Sequence, residues 1–273
     1  MYSAYAPVSA TAKISLDPVI RWHVPDPALQ HVVDGVWSFE FAVPDKVPYI
    51  EHSLPDGGVD LIMECRQGGL RRAFVRGPAG RGTQIRLDRN VYYIGIRVRP
   101  GMARAVLGIG AVELRERRVD LQHVNRRLHA ALAASVGKTA AETATRVDTV
   151  LRHLSADIRH TCISAAALPL MRNSGGCCSV QQVAATMGWS VRKLHRRVSI
   201  ELGLSPKLFM RTIRLQRALL LLKRSNMPKA LAAVEAGYTD QAHMCRDFFE
   251  LTASTPAALA AQPIPHEALI HRD

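Results

Sequence analysis

The sequence predicts an α+β chain in two parts. Residues 1–170 read as a β-rich domain, a small barrel or sandwich with trailing helices. Residues 171–178 read as a linker, 179–262 as an all-α domain, and 263–273 as a tail. Three observations carry that expectation. Between about 32 and 98, short alternating segments are separated by glycine turns. Between 179 and 261, one helical pattern is written twice, about fifty residues apart. The chain has 273 residues, 48% of them hydrophobic, which is enough for two cores.

In order, residues 1 to about 20 are weakly patterned and fit a mobile start or an edge strand. Val36-Trp37-Ser38-Phe39-Glu40-Phe41 alternates, Pro55-Asp56-Gly57-Gly58 is a turn, Val59 to Met63 is a second strand, and Gly68-Gly69 turns again. Further strands fit 73–76, 83–87 and 91–98. Arg99-Pro100-Gly101 ends the sheet, and helical patterning runs from Met102 with breaks to about Leu170. It includes stretches near 124–135, 140–154 and 156–168. These helices suit either packing between two copies in a homodimer or cover for the open side of the sheet. Met171-Arg172-Asn173-Ser174-Gly175-Gly176 has linker composition.

The duplicated segment begins with Val183-Ala184-Ala185-Thr186-Met187-Gly188-Trp189-Ser190, echoed by Ala232-Ala233-Val234-Glu235-Ala236-Gly237-Tyr238-Thr239. A small residue permits close helix crossing, a glycine turns the chain, and a hydroxyl residue can cap the next helix, which is how a helix-turn-helix reads. Apolar positions then return at helical spacing, Leu194 and Val198 in one copy and Met244 and Phe248 in the other, with Arg196 and Arg246 equivalent. Ser205-Pro206 and Thr255-Pro256 each offer a cap followed by a first-turn proline. The offset grows from 49 at the glycines to 50 at the prolines, so the second turn carries one extra residue. From Ser205 to about Lys223 nothing interrupts a helix, which at 1.5 Å per residue would span about 28 Å. Successive major grooves on one face of B-DNA repeat every ~34 Å, so such a rod suits two recognition helices in adjacent grooves.

These residues resemble the double helix-turn-helix of the AraC/XylS family of bacterial transcription regulators. The resemblance rests on Met187-Gly188-Trp189-Ser190, on Arg214-Leu215-Gln216-Arg217-Ala218 with the run to Leu222, and on Ala236 to His243. Three features depart from the family pattern: Val198 replaces an aromatic, Ala253 replaces glycine, and the aromatic-arginine pair after Pro256 is absent. Upstream, Trp37, Leu54-Pro55-Asp56-Gly57 and Gly95-Ile96-Arg97-Val98-Arg99-Pro100-Gly101 resemble an uncharacterised N-terminal domain of one branch of that family. The resemblance implies a double-stranded DNA operator and RNA polymerase as partners, and activation of transcription.

A net charge of +13 asks for a polyanionic partner, nucleic acid or an anionic membrane surface. The placement of basic residues in the first repeat and the long helix favours DNA. Neither a secretory leader nor a membrane span is legible, and five cysteines without metal spacing fit thiols in a reducing cytoplasm. Adjacent Cys177 and Cys178 also allow a redox role.

For base reading the sequence nominates Arg192, His195 and Arg196 in the first recognition helix, and Gln241, Ala242, Cys245 and Arg246 in the second. Arginine suits guanine, glutamine adenine, and an alanine methyl thymine. Ser190, Lys193, Arg197, Thr239 and His243 are nominated for phosphate. Trp22, Trp37, Phe39, Tyr92 and Tyr93 are candidates to line a ligand pocket for a small-molecule effector. No catalytic fingerprint, metal set or cofactor motif is present, so the expectation is a regulator rather than an enzyme. An N-terminal enzyme, or a redox or small-molecule sensor domain, delivered to DNA by the C-terminal module is the alternative.

Overall fold

The computed structural model describes residues 18–41, 49–155, 158, 166–224 and 227–261. The expected tail, the first seventeen residues and most of the helix expected near 156–168 lie outside them. Alternation and glycine turns yield β1 (Pro18–His23), β2 (Val33–Phe41), β3 (Tyr49–Ser53), β4 (Val59–Arg66), β5 (Gly69–Arg76), β6 (Thr83–Leu87), β7 (Tyr92–Val98) and, later, β8 (Arg118–Asp120). Six of them form one antiparallel sheet in the order β1-β2-β7-β4-β5-β8, while β3 and β6 pair as a separate ribbon. Among the described residues the β-rich part is thus an unequal two-layer arrangement with β1 and β8 as its edge strands, not a closed barrel.

Both faces of the main sheet are covered. Val36, Leu61, Met63, Val75, Ile94 and Ile96 form one apolar face, over which lie α1 (Ala103–Leu107), α2 (Ala111–Leu114), α3 (Leu121–Val124), α4 (Arg126–Ala134) and α5 (Ala140–Ser155). Trp37, Phe39, Ile62, Phe74 and Tyr93 form the other, beneath the β3–β6 ribbon. Directly opposite Trp37 on β7 stands Gly95, where a Cβ would fall 1.8 Å from the indole ring. The glycine lets the ring lie flat across the neighbouring strand.

Strand register also stacks charge. Arg97, Asp60, Arg76 and Arg118 are cross-strand neighbours on β7, β4, β5 and β8. Arg97 donates to Asp56 and forms an ion pair with Asp60, its Nε lying 2.7 Å from the carboxylate; Arg76 reaches Asp60 at 2.8 Å and donates to Ser53. Burial pushes the Asp56 carboxyl up. The charges of Arg97 and Arg76 and the Gly58 amide more than offset this and hold it below the usual carboxylate range.

The C-terminal part comprises α6 (Ala167–Asn173), α7 (Val180–Thr186), α8 (Val191–Leu202), α9 (Pro206–Arg224), α10 (Lys229–Glu235), α11 (Gln241–Thr252) and α12 (Pro256–Ala260). The N-terminal half of α9 supplies Phe209, Met210 and Ile213 to a core with Val183, Ala184, Leu194 and Val198. Its C-terminal half supplies Leu215, Ala218 and Leu219 to a second core with Ala233, Tyr238, Met244 and Phe248. The expected linker begins inside α6, where Met171 is buried in the first core, and Gly175 and Gly176 pack on the arginines of α9.

The second turn differs from expectation. Ser190 caps α8 by accepting from the Lys193 amide at 3.2 Å, but α11 is capped by Asp240, not by the hydroxyl of Thr239. The extra residue falls ahead of the cap, so the two recognition helices, at 191–202 and 241–252, stand in an offset of fifty throughout.

The two parts dock through α2, whose Ala111 carbonyl meets Gly203 at the end of α8, and through two loops. Leu54, 2% exposed, sits in the second helical core, and Gln216 of α9 donates to the Pro55 carbonyl at 2.9 Å. Gly57 adopts φ +70, and a Cβ there would press on Leu204 and Phe209. In the second loop, Gly80 faces Leu208, and the Gly82 amide donates to the Leu251 carbonyl at 2.6 Å.

Three outcomes follow. Ala253 ends α11 in the left-handed conformation, φ 53, at the place that Gly203 takes after α8. Ala253→Gly is therefore expected to stabilise the protein by about 1 kcal/mol, read as a higher thermal midpoint. Asp56→Ala strips a carboxylate from buried Arg97 and is expected to cost about 3 kcal/mol in denaturant titration. Because the folded pKa of Asp56 is depressed, its contribution is fully present above the unfolded value of about 3.9 and is lost as pH falls through the folded value. The difference between wild type and Asp56→Asn should accordingly shrink below about pH 4.

Candidate nucleic-acid interface and a cavity beneath the ribbon

Leu194, Val198 and Leu202 anchor α8 in its core, which turns Arg192, Lys193, His195 and Arg196 outward, all exposed. Lys193 lies over the Trp189 ring at 4.7 Å, and Arg197 is half-buried. Arg192, His195 and Arg196 recur at i, i+3 and i+4 and so share a face. On α11, Met244, Phe248 and Leu251 take the core positions, while Gln241, Ala242 and Arg246 are exposed and Cys245 is half-exposed. The offset of fifty pairs Arg192 with Ala242, His195 with Cys245, and Arg196 with Arg246.

The nominated phosphate residues are of two kinds. Lys193 is free of acidic partners among the described residues, whereas Ser190 is engaged as a helix cap. His243 Nδ1 lies 3.3 Å from the Thr239 hydroxyl, and its ring stands edge-on to Tyr238 at 5.2 Å, so both residues also brace the second turn.

Basic residues on the long helix are less uniform than the sequence implied. Arg211 binds Asp247 at 2.6 Å and also Glu250, clamping α9 to α11. Burial would lower its pKa, but the bonds to Asp247 and Glu250 raise it overall. Arg214 lies over the Tyr238 ring at 5.5 Å and donates to the Gly176 carbonyl. These two arginines hold the domain together, and both acids of α11, Asp247 and Glu250, are directed at Arg211. Sequence reading missed that clamp, and also Gln216, because nothing in a helical pattern marks which polar residue meets another domain.

A cavity of about 360 Å³ lies between the main sheet and the β3–β6 ribbon. Of the five residues nominated for a pocket, Trp37, Phe39 and Tyr93 line it. Tyr92 does not: successive strand residues face opposite sides, and its hydroxyl donates to the Gly137 carbonyl at 3.0 Å on the helical side. Trp22 instead packs its ring over Gly35. Arg76, Arg81, Arg86, Arg117 and Arg118 surround the cavity, with Asp56, Glu64 and Glu116. Among the described residues, no three His, Cys, Asp or Glu side chains gather as a metal set, and no helix is long and apolar enough to cross a membrane.

Residues 183–262 match the family model of a helix-turn-helix domain, and residues 21–120 match that of a domain of unknown function, DUF6597. No curated protein matches the chain. Among solved structures, it is similar to the C-terminal domain of AraT, a response regulator from Geobacillus stearothermophilus, with 23% identity over 37% of this chain and 86% of that one, TM-score 0.35. A xylose-binding transcription activator, XylR, is 19% identical over 46% of this chain and 40% of that one, TM-score 0.34. ToxT from Vibrio cholerae is 9% identical over 82% and 96%, TM-score 0.42. The chain thus carries an AraC-type helix-turn-helix domain behind a separate N-terminal domain of the DUF6597 family, the constitution of a DNA-binding transcription regulator.

Proposed function

We propose that this protein is a sequence-specific regulator that acts in the cytoplasm and lays α8 and α11 into successive major grooves of an operator. The observation that carries the reading is the pair of capped recognition helices, offset by fifty residues and packed on the two halves of one 19-residue rod. At 1.5 Å per residue α9 is about 28 Å long, close to the ~34 Å repeat of the grooves. Arg192, His195 and Arg196 read one half-site and Gln241, Ala242, Cys245 and Arg246 the other. Lys193 and Arg197 meet phosphate, joined by Ser190, Thr239 and His243 at the two turns.

The N-terminal domain modulates this activity. Support comes from its docking: Leu54 and the Pro55 carbonyl engage the second helical unit while Gly57 meets residues of the first. Activation through RNA polymerase, and assembly as a homodimer, complete the reading.

Titration of the full chain against a randomised duplex library at physiological salt tests it. The expected result is a bipartite motif whose halves lie about one helical turn apart. Absence of enrichment overturns the reading. On the selected duplex, Arg192→Ala is expected to weaken binding more than Gln241→Ala in a mobility-shift titration at fixed salt. Arginine contributes phosphate attraction as well as a base contact worth roughly 1–3 kcal/mol.

A further inference from the structure

We propose that the cavity between the sheet and the ribbon binds a small planar aromatic anion, and that the two loops lining it carry its occupancy to the DNA-binding helices. The second half of this inference rests on the regulatory reading of the N-terminal domain.

The body of the ligand follows from the floor and roof. Trp37, Ile62 and Phe74 stand in one cross-strand row, with Phe39 and Tyr93 in the next, so the floor is a sheet of ring faces and edges. Above it, Thr83, Ile85 and Leu87 line the roof from alternate positions of β6. A volume of about 360 Å³ falls at the low end of the roughly 300–1,000 Å³ typical of ligand pockets. Flat apolar walls at this size suit one or two fused rings. A polyol would leave most of its hydroxyls facing carbon.

The sign of the ligand follows from the charge balance. Asp56 is taken by Arg97, Glu64 by Arg118 at 2.9 Å, and Glu116 lies 4.0 Å from Arg115. Arg81, Arg86 and Arg117 have no carboxylate partner among the described residues. The Arg118 guanidinium lies 3.4 Å over the Phe74 ring, at the edge of the aromatic floor. Burial, and then the charge of Arg72, lowers the pKa of Arg118, and its guanidinium, 40% exposed, keeps donors free beside the bond to Glu64 for a second carboxylate. Arginine presents paired donors to a carboxylate and stacks on rings, which matches an aromatic acid at both ends.

The readout follows from continuity. Ser53, Leu54 and Asp56 line the cavity on one side, and Gly77, Ala79 and Arg81 on the other. These belong to the loops that meet Gln216, Leu208 and Leu251. A ligand wedged between sheet and ribbon therefore touches both docking loops at once.

Calorimetric titration of the full-length protein with benzoate, 2-naphthoate and indole-3-acetate, each beside its neutral amide, tests the site. At least one acid is expected to bind tenfold or more tightly than its amide. Arg118→Gln should erase that difference, and Glu64→Gln, by removing the carboxylate that competes for Arg118, should strengthen acid binding several-fold without changing the amide. Equal affinity of acid and amide, no binding by any member at millimolar concentration, or no response to either variant overturns the site and leaves the regulatory reading intact. Saturation with the preferred acid is expected to change affinity for the selected duplex threefold or more. Gln216→Met, which removes the donor to Pro55, should diminish the change. Selective acid binding with unchanged duplex affinity overturns the coupling, and with it the modulating role, while the site stands.

Discussion

The arrangement depends on a buried ladder of charge. Arg97 lies between Asp56 and Asp60, and Asp60 passes the contact to Arg76, which also holds Ser53. Ions taken from water to this depth are tolerated only when paired and hydrogen-bonded, so the ladder is as much a demand as a support. It can be met only if β7, β4 and β5 keep their register and if the loop after β3 folds back to bring Asp56 over the sheet. That loop carries Leu54, Pro55 and Gly57 into the helical domain. One electrostatic requirement thereby fixes the register of the interior strands, the cavity wall and the docking surface together.

Around that ladder the sheet has two very different faces. Its helical side is a continuous aliphatic core, from Val36 through Ile94 to Leu151. Its other side is aromatic and covered only by a two-stranded ribbon, which leaves a cavity where a third layer would otherwise fill the space. Ribbon layers make fewer contacts than helices, so this face is the natural place for movement in an otherwise close-packed domain.

The helical domain solves its own problem by sharing. Each three-helix unit is too small to bury much apolar surface alone, and α9 donates one half of its length to each core. Arg211 binds the rod to the second recognition helix, and α6 closes the first core. The left-handed Ala253 is the local cost of ending α11 without glycine.

Much of this was legible because it is local. Glycine turns, hydroxyl and proline signals, and apolar spacing at 183–202 and 232–252 each act within a few residues, so both helical units and the rod could be read with their boundaries. Alternation likewise gave most of the strands, and the Asp56-Gly57 and Gly95-Ile96-Arg97 motifs stood out as words without a meaning. What sequence alone determined was thus the class of each part and the duplicated helix-turn-helix pattern. Tertiary structure decided the rest. Only strand register separates Tyr92 from Tyr93, pairs Asp56 with an arginine 41 residues away, and seats Leu54 in the core of the other domain. The cap at Asp240 belongs here too, since either Thr239 or Asp240 could serve and packing of Met244 and Phe248 chooses between them. Periodicity records which side of an element is apolar, but not which distant partner that side will meet.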